Sequence, residues 1–522
     1  MNLLGPSPKP HRNKGFYMSS PDPRCLPVLV GVGEITDQPQ QLERGLEPLA
    51  LMEHALRRAE QDSGVALLDQ LDSVDIVYQL SWPYPDTEAQ LCQRLGRQPQ
   101  RVVLGPMGGE SPLRYLHQAA LAIARGECRV AAVVGAESRH TTERAAKQNL
   151  DLPWPPRDPA PKVRRGKDIL HPLSLKHGIL MPPTVYPFYE NALPHRYGQT
   201  PRAAMEESGR LWARMARIAA DNPYTWSERT PSAEEIITPT AENRAVAWPY
   251  TKWQVANPMV NQGAALLLTS AAVAREMGIP EERWIHLWGG AAAVEPEDYL
   301  QRDQFHRSHA QDTVLETVLQ WAGGDVGGFR HLELYSCFPC VPKMARRTLG
   351  LDEDFAPSVT GGLSFFGAPM NNYMTHAAAA MVRHLRDSAP GEGLLYGQGE
   401  YVTKHHAVVL SNRPPPAPLA EDYSVQAQAD ARRGPVPPLR EHYQGPATLE
   451  TFTALFNRAG EVDYAVVLAL TPAGERVMAR VPGTDRATLD TLLDPENSPI
   501  GAAGEAMPGE NDLLHFGITI PG

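Results

Sequence analysis

The sequence predicts an α/β protein of two similar halves, with a loop region inserted on one side and a small β domain at the end. Three observations support this. Apolar, β-branched runs alternate with amphipathic stretches over residues 26–138 and again over 262–411. Strands and helices taken in turn imply a parallel sheet covered on both faces. Proline-rich stretches break the rhythm at about 139–250 and 412–440, and short strand-like runs fill the chain after them.

The elements follow in order. LPVLVGVGE (26–34) is an apolar run ended by glycines, a first strand. LEPLALMEHALRRAEQ (46–61) carries apolar residues at helical spacing. SVDIVYQLS (73–81) and RVVLG (101–105) read as strands around a short helix at LCQRLG (91–96). PLRYLHQAALAIARGE (112–127) is a strong helix, and RVAAVVGAES (129–138) a buried strand. Prolines and charges then dominate DLPWPPRDPAPKVRRGKD, before a helix at PRAAMEESGRLWARMARIAAD (201–221). QGAALLLTSAAVAREMG (262–278) restarts the α/β rhythm. WIHLWGGAAA (284–293), HLELYSC (331–337) and GLLYGQGEYVTKHHAVVLS (393–411) supply later strands, and VLETVLQWAG, VPKMARRTLG and THAAAAMVRHLRD supply helices. VDYAVVLALTPAGERVMARV reads as a hairpin over Pro-Ala-Gly.

The expected division is a loosely ordered tail (1–24), a first half (25–270) holding the loop domain, a second half (271–411), a proline-stiffened linker (412–440) and a β-barrel-like domain (441–522).

At 522 residues the chain has room for two or three domains. Fifty prolines, about twice the usual share, point to ordered, punctuated loops. A net charge of −11 argues against a nucleic-acid or anionic-membrane partner. Cys25, Cys92, Cys128, Cys337 and Cys340 are too few and too scattered for a disulfide framework, which points to a reducing, cytoplasmic setting. The longest apolar runs, such as 263–274, are too short to span a bilayer, and the first twenty residues lack the apolar core of a signal peptide.

Five segments carry a resemblance. GGLSFFGAPMNN (361–372) resembles the thiolase loop GG-x-x-x-x-GHP-x-G. RVAAVVGAES resembles the strand ending in GG-x-ES, and NPMVNQGAALLLTS, with Asn261, Gln262 and Gly263, resembles the strand start N-x-x-x-NDGA-A. YSCF (335–338) resembles the NEAF or HDCF segment, and YGQGEYVTKHHAVVLS the closing C-x-GGG hairpin. No single motif is specific, but their shared order over 26–411 is. The extra C-terminal domain and the proline-rich loops look like the type-one thiolase-like proteins, relatives of the sterol-carrier-protein thiolases often named acetyl-CoA acetyltransferases. The resemblance implies a thiolase fold with a duplicated, five-layered αβαβα core. It also implies a CoA or acyl-CoA ligand in lipid or acyl metabolism, no metal, and a homodimer or a partner protein.

Thiolase chemistry needs a thiolate at a helix start, a second cysteine that moves the proton and a histidine at the enolate oxygen. Carried over by spacing, the nucleophile falls on Gly109, counted back from Gly126. The histidine falls on Ala368, the second cysteine near Leu395, and the middle of the NEAF-type segment on Ser336-Cys337. The matched catalytic positions are thus Gly109, Ser111, Cys337, Ala368 and Leu395, mostly without their reactive groups, while Gly367, Gly397 and Gly399 keep the glycines of a ligand slot.

Plainer readings stand beside these. Ser111 caps the helix that Pro112 begins, or replaces the nucleophile. Glu110 is a solvated first-turn carboxylate, or an acid in a dry pocket. Cys337-Phe-Pro-Cys340 packs in the core, takes part in residual acyl transfer, or is redox-active. His376 sits in an apolar helix, packed or partly exposed; His405 and His406 alternate faces, so one meets solvent; Cys128 lies in a turn. The basic run KVRRGKD (162–168) is a solvated loop, or it contacts CoA phosphates. Two other functional classes remain open at this stage. One is a non-catalytic scaffold that captures a partner through the β domain. The other is an acyl-CoA aldolase or retro-aldolase, which would need Tyr, Asp or Glu side chains where the cysteines were, Tyr335 among them.

Overall fold

The computed structural model describes residues 22–161, 164 and 166–519. The tail expected at 1–24 therefore lies outside the described residues up to Pro21, and a short turn of helix at Pro23–Cys25 is the first element among the described residues. The first half supplies β1 (Pro27–Thr36), β2 (Ser73–Ile76), β3 (Arg101–Leu104) and β4 (Val130–Ser138). The insertion adds two short strands, β5 (Ala245–Ala247) and β6 (Tyr250–Thr251), before β7 (Asn261–Ser270) closes the half. The second half supplies β8 (Ile285–Val294), β9 (Phe329–Leu334), β10 (Glu392–Gly399) and β11 (Lys404–Ser411).

The nine core strands run β3-β2-β4-β7-β1-β8-β11-β10-β9. The duplication expected from the rhythm of the sequence is visible in this order, since β2-β4-β7-β1 is answered by β9-β10-β11-β8. The directions match too: β2 and β4 are parallel, as are β9 and β10, and the remaining pairs within each set are antiparallel, so the sheet is mixed and not the parallel one that alternating strands and helices predict. The halves meet where Val28 faces His286.

Six helices matter for the site: α1 (Pro48–Ser63), α2 (Ser111–Ala124), α3 (Pro201–Ala220), α4 (His309–Leu319), α5 (Cys340–Leu349) and α6 (Tyr373–Arg386). α2 and α6 pack on each other and on strands of both halves, which makes them a shared middle layer. α1 covers the outer face of the first half-sheet and α4 that of the second. These are the five layers of a thiolase fold. A middle-layer helix has no solvent face, so it is apolar nearly all round. Accordingly Leu113, Leu116, Ala120 and Ile123 of α2, and Ala377 to Val382 of α6, are buried.

The same layering corrects the reading of His405 and His406. β11 is an interior strand covered by α2 on one side and α4 on the other, so both histidines are buried. His406 Nε2 lies 3.1 Å from His117 Nδ1, and His405 Nδ1 lies 2.7 Å from the Tyr396 hydroxyl. His376 is also fully buried, with its Nδ1 2.6 Å from Glu34.

Burial holds His117, His177 and His286 at about 4 and His405 at about 3, and holds His406 well below its usual value. An unfolded chain protonates these groups near pH 6.5. Below that pH the unfolded state binds more protons, so stability falls as pH drops. Glu137 and Glu333 act the other way: burial raises each to about 7, and they favour the fold as pH falls from there towards 4.5. The lowered histidines, His306 at about 4 among them, outnumber the raised carboxyls of Glu110, Glu137, Asp298 and Glu333. Urea melts are therefore expected to show a stability that declines from neutrality towards about pH 4, rather than one confined to the carboxylate range.

The C-terminal region holds β12 (Gly445–Phe456), β13 (Val462–Leu470), β14 (Arg476–Pro482), β15 (Ala503–Pro508) and β16 (Leu514–Ile518). They close on themselves in the order β12-β13-β14-β16-β15-β12, with β14 and β16 parallel. That is a closed five-stranded barrel, and closure removes its edges. Ala447, Phe452, Val467, Val481 and Phe516 are among the residues filling it. The barrel is not detached. Ala247 of β5 pairs with Leu455, Thr451 Oγ1 donates to Phe188 O at 2.6 Å, and the buried Arg476 guanidinium donates to Leu300 O and Arg302 O at 2.8 and 2.7 Å.

The linker works as a strap. Ala292 N donates to Tyr423 O at 2.9 Å and Val425 N to Ala292 O at 3.0 Å, covering the part of β8 that β1 does not reach.

Candidate functional site

Four loops meet at the start of α2. The first is Gly105–Gly109, which follows β3. The second, from Gly361 to Asn372, leads into α6 and is tied to the first by a bond from Gly108 N to Asn371 Oδ1 at 3.1 Å. The third follows β9, where Tyr335 N donates to Tyr396 O at 3.1 Å. The fourth is the β10–β11 hairpin, which carries Gln398, Gly399 and Glu400.

Gly109 stands at the helix entrance, as the spacing predicts. A Cβ placed on it would lie 2.3 Å from Tyr335 Oη and 2.4 Å from the Gln398 carbonyl oxygen. The space of a nucleophile's side chain is already filled. Ala368 is buried, its N–H bonded to Asn257 O at 2.9 Å, and Leu395 is fully buried within β10. The three matched positions thus bring neither thiol nor imidazole.

Cys337 does not replace them. Its Sγ lies 3.6 Å from Gln398 Oε1, and burial pushes its thiol up to about 12, so it stays protonated. Cys340 is wholly buried. Ser111 is not the cap either: α2 begins at Ser111 itself, Glu110 precedes it, and no side chain makes a capping bond.

Glu110 departs most from expectation. It is 5% exposed rather than solvated, and its Oε2 has no hydrogen-bond partner among the described residues. Burial raises its pKa, partly offset by Lys404 and Arg114. The carboxyl sits between two glycines: a Cβ on Gly108 would fall 2.3 Å from Oε2, and one on Gly399 2.2 Å from it. No local sequence signal marks this burial, because it depends on a hairpin nearly three hundred residues away. Gly397 likewise brings β10 against the Glu110 backbone, and Gly367, at φ +120°, brings its loop against Gln262. Gly367, Gly397 and Gly399 pack the site's frame, whereas Gly108 and Gly109 line its cavity.

That cavity, of about 450 Å³, opens beside Gly108 and Gly109. Arg164, Lys167, Glu400 and Tyr401 form parts of its wall. Arg164 is held in place by Glu297 at 2.7 and 2.6 Å. Of the basic run, Lys162, Val163 and Arg165 lie outside the described residues. Among the described residues no group of three His, Cys, Asp or Glu side chains is arranged to hold a metal ion. No described helix is long and apolar enough to cross a membrane. An aldol-type site would need polar side chains near Gly109; Tyr335 and Glu110 are there, both buried.

Comparison with known proteins bears on the fold and the C-terminal domain. The thiolase-like protein type 1 additional C-terminal domain matches residues 425–510. The chain is similar in structure to a monomeric SCP2-thiolase like protein type 1 from Mycobacterium smegmatis, with 29% identity, a TM-score of 0.80, and cover of 95% of this chain and 100% of that one. Its fold is also that of an acetyl-CoA acetyltransferase from Syntrophomonas wolfei (16% identity, TM-score 0.54, 74% and 99% cover). The same holds for human mitochondrial 3-ketoacyl-CoA thiolase in complex with CoA (14% identity, TM-score 0.53, 74% and 98% cover). No curated protein matches. The chain has the thiolase fold. Within it, the full-length likeness and the additional domain make it most like the type 1 thiolase-like proteins.

Proposed function

We propose that the protein binds coenzyme A or an acyl-CoA at the start of α2, in the lipid or acyl metabolism of the cytoplasm, and does not carry out ordinary thiolysis or Claisen condensation. The observation that carries this reading is Gly109, at the nucleophile's position with its side-chain space filled. The cavity beside it supports the binding half. Its wall carries Lys167, a cation that suits a phosphate, beside Arg164, which is paired with Glu297, and leads to the glycine turn at Gly108 and Gly109, which suits a pantetheine arm. The catalytic half follows from chemistry. Without a thiolate there is no acyl acceptor, and loss of a nucleophile typically leaves only the ~10³–10⁴-fold acceleration over water that binding and oxyanion donors provide.

Two assays test the two halves. Calorimetric titration with CoA is expected to show saturable binding; absence of heat and of any thermal shift at millimolar ligand would remove the binding half. Thiolysis of acetoacetyl-CoA is expected to stay near background. Turnover at the rate of an ordinary thiolase would remove the catalytic half.

A further inference from the structure

Resting on that reading, we infer that Tyr335 closes the acyl end of the slot, so that the site accepts a pantetheine with a free thiol and rejects an extended acyl thioester. In a thiolase the side chain at the position of Gly109 takes the acyl group, so the thioester carbon must lie against it. The acyl group therefore belongs in the space beyond the Cβ of residue 109. Here that space holds Tyr335 Oη and Cζ, 2.3 and 2.8 Å from the Cβ position, and the Gln398 carbonyl oxygen at 2.4 Å.

The volume behind is packed as well. The Tyr186 ring stacks on Phe338 at 4.2 Å and 19°, and the Tyr186 hydroxyl donates to Gln398 Oε1 at 3.1 Å. The Cys337 thiol reaches the same amide oxygen, and the Tyr335 ring meets Tyr373 edge-on at 5.8 Å. Tyr335, Tyr186, Phe338 and Gln398 are all less than 7% exposed. Close-packed interiors yield little, and insertion of extra methylenes is costly. The Tyr335 ring is the removable part of this plug. Gln398 is held by Tyr186 and the hairpin backbone, whereas the Tyr335 side chain packs against Tyr373 and makes no hydrogen bond among the described residues, so shortening it opens space without unpairing a partner there.

The test is equilibrium binding of CoA and butyryl-CoA to the wild-type chain, Tyr335→Ala and Tyr335→Leu. The wild type is expected to bind CoA at least about tenfold more tightly than butyryl-CoA, equivalent to about 1.4 kcal/mol. Tyr335→Ala is expected to bring the two within about threefold by raising butyryl-CoA affinity while CoA affinity holds, with Tyr335→Leu between them. Tyr335→Leu retains more of the ring's volume and serves if the alanine variant does not fold. Equal affinities in the wild type would overturn the inference, as would a gap that persists in a variant still binding CoA normally. Failure of the wild type to bind CoA at all would instead remove the functional reading beneath it.

Discussion

Gly109→Cys is expected to lower the protein's stability and to leave thiolysis at background. The new Cβ falls 2.3 Å from Tyr335 Oη and 2.4 Å from the Gln398 carbonyl oxygen, far inside van der Waals contact. The tyrosine can swing only into packed aromatic neighbours, and the carbonyl belongs to β10, which is fixed between β9 and β11. Overpacking of this kind typically costs ~1–3 kcal/mol, and here two obstacles must yield together. The thiol gained would also lack its helpers, because the matched positions hold Ala368 and Leu395. Thermal melts and an acetoacetyl-CoA assay check both parts. A stable variant with thiolase turnover would show that the nucleophile's space is open after all.

A second large effect is expected at Lys343, in α5. Its ammonium is fully buried, paired with Glu190 and bonded to Ala204 O at 3.2 Å and Ser208 Oγ at 3.0 Å. These contacts tie α5 to α3 and to the helix Pro187–Tyr197 that supports the barrel. Lys343→Met leaves the Glu190 carboxylate buried with the Tyr250 hydroxyl, 2.9 Å from Oε2, as its remaining partner. Removing one partner of a buried pair typically costs ~3–5 kcal/mol, mostly through the charge left behind. Lys343→Met combined with Glu190→Gln removes that charge and keeps an oxygen for Tyr250, so it should recover more than half of the loss. Urea melts of the two variants settle it; a double variant no better than the single one would mean that lost packing, not the orphaned carboxylate, sets the cost.

The fold was legible where a local pattern carries it. The apolar run at β1, the helical spacing of α1 and the apolar helix at α2 each follow from residues within one element. The ordered glycine motifs then pointed to the thiolase fold before any distance was known. That residue 109 lies at a helix entrance was also legible, because a count along one helix reaches it from Gly126. What sequence periodicity missed depends on contacts between distant segments. Alternation along β11 assigns one of His405 and His406 to solvent, but the strand lies inside the sheet with a helix on each face. A glutamate in a first turn reads as solvated, yet Gly399 of a remote hairpin closes over Glu110. The absence of a cysteine at 109 was readable; the tyrosine filling its space, more than two hundred residues later in the chain, was not.

The most direct measurement is a crystal structure of the chain soaked with CoA. The account predicts the pantetheine arm in the cavity walled by Arg164, Lys167 and Tyr401, its sulfur stopping against Gly108 and Gly109 with Tyr335 in place beyond. CoA bound elsewhere, or a sulfur passing Gly109 to meet a convergent cysteine and histidine, would contradict it.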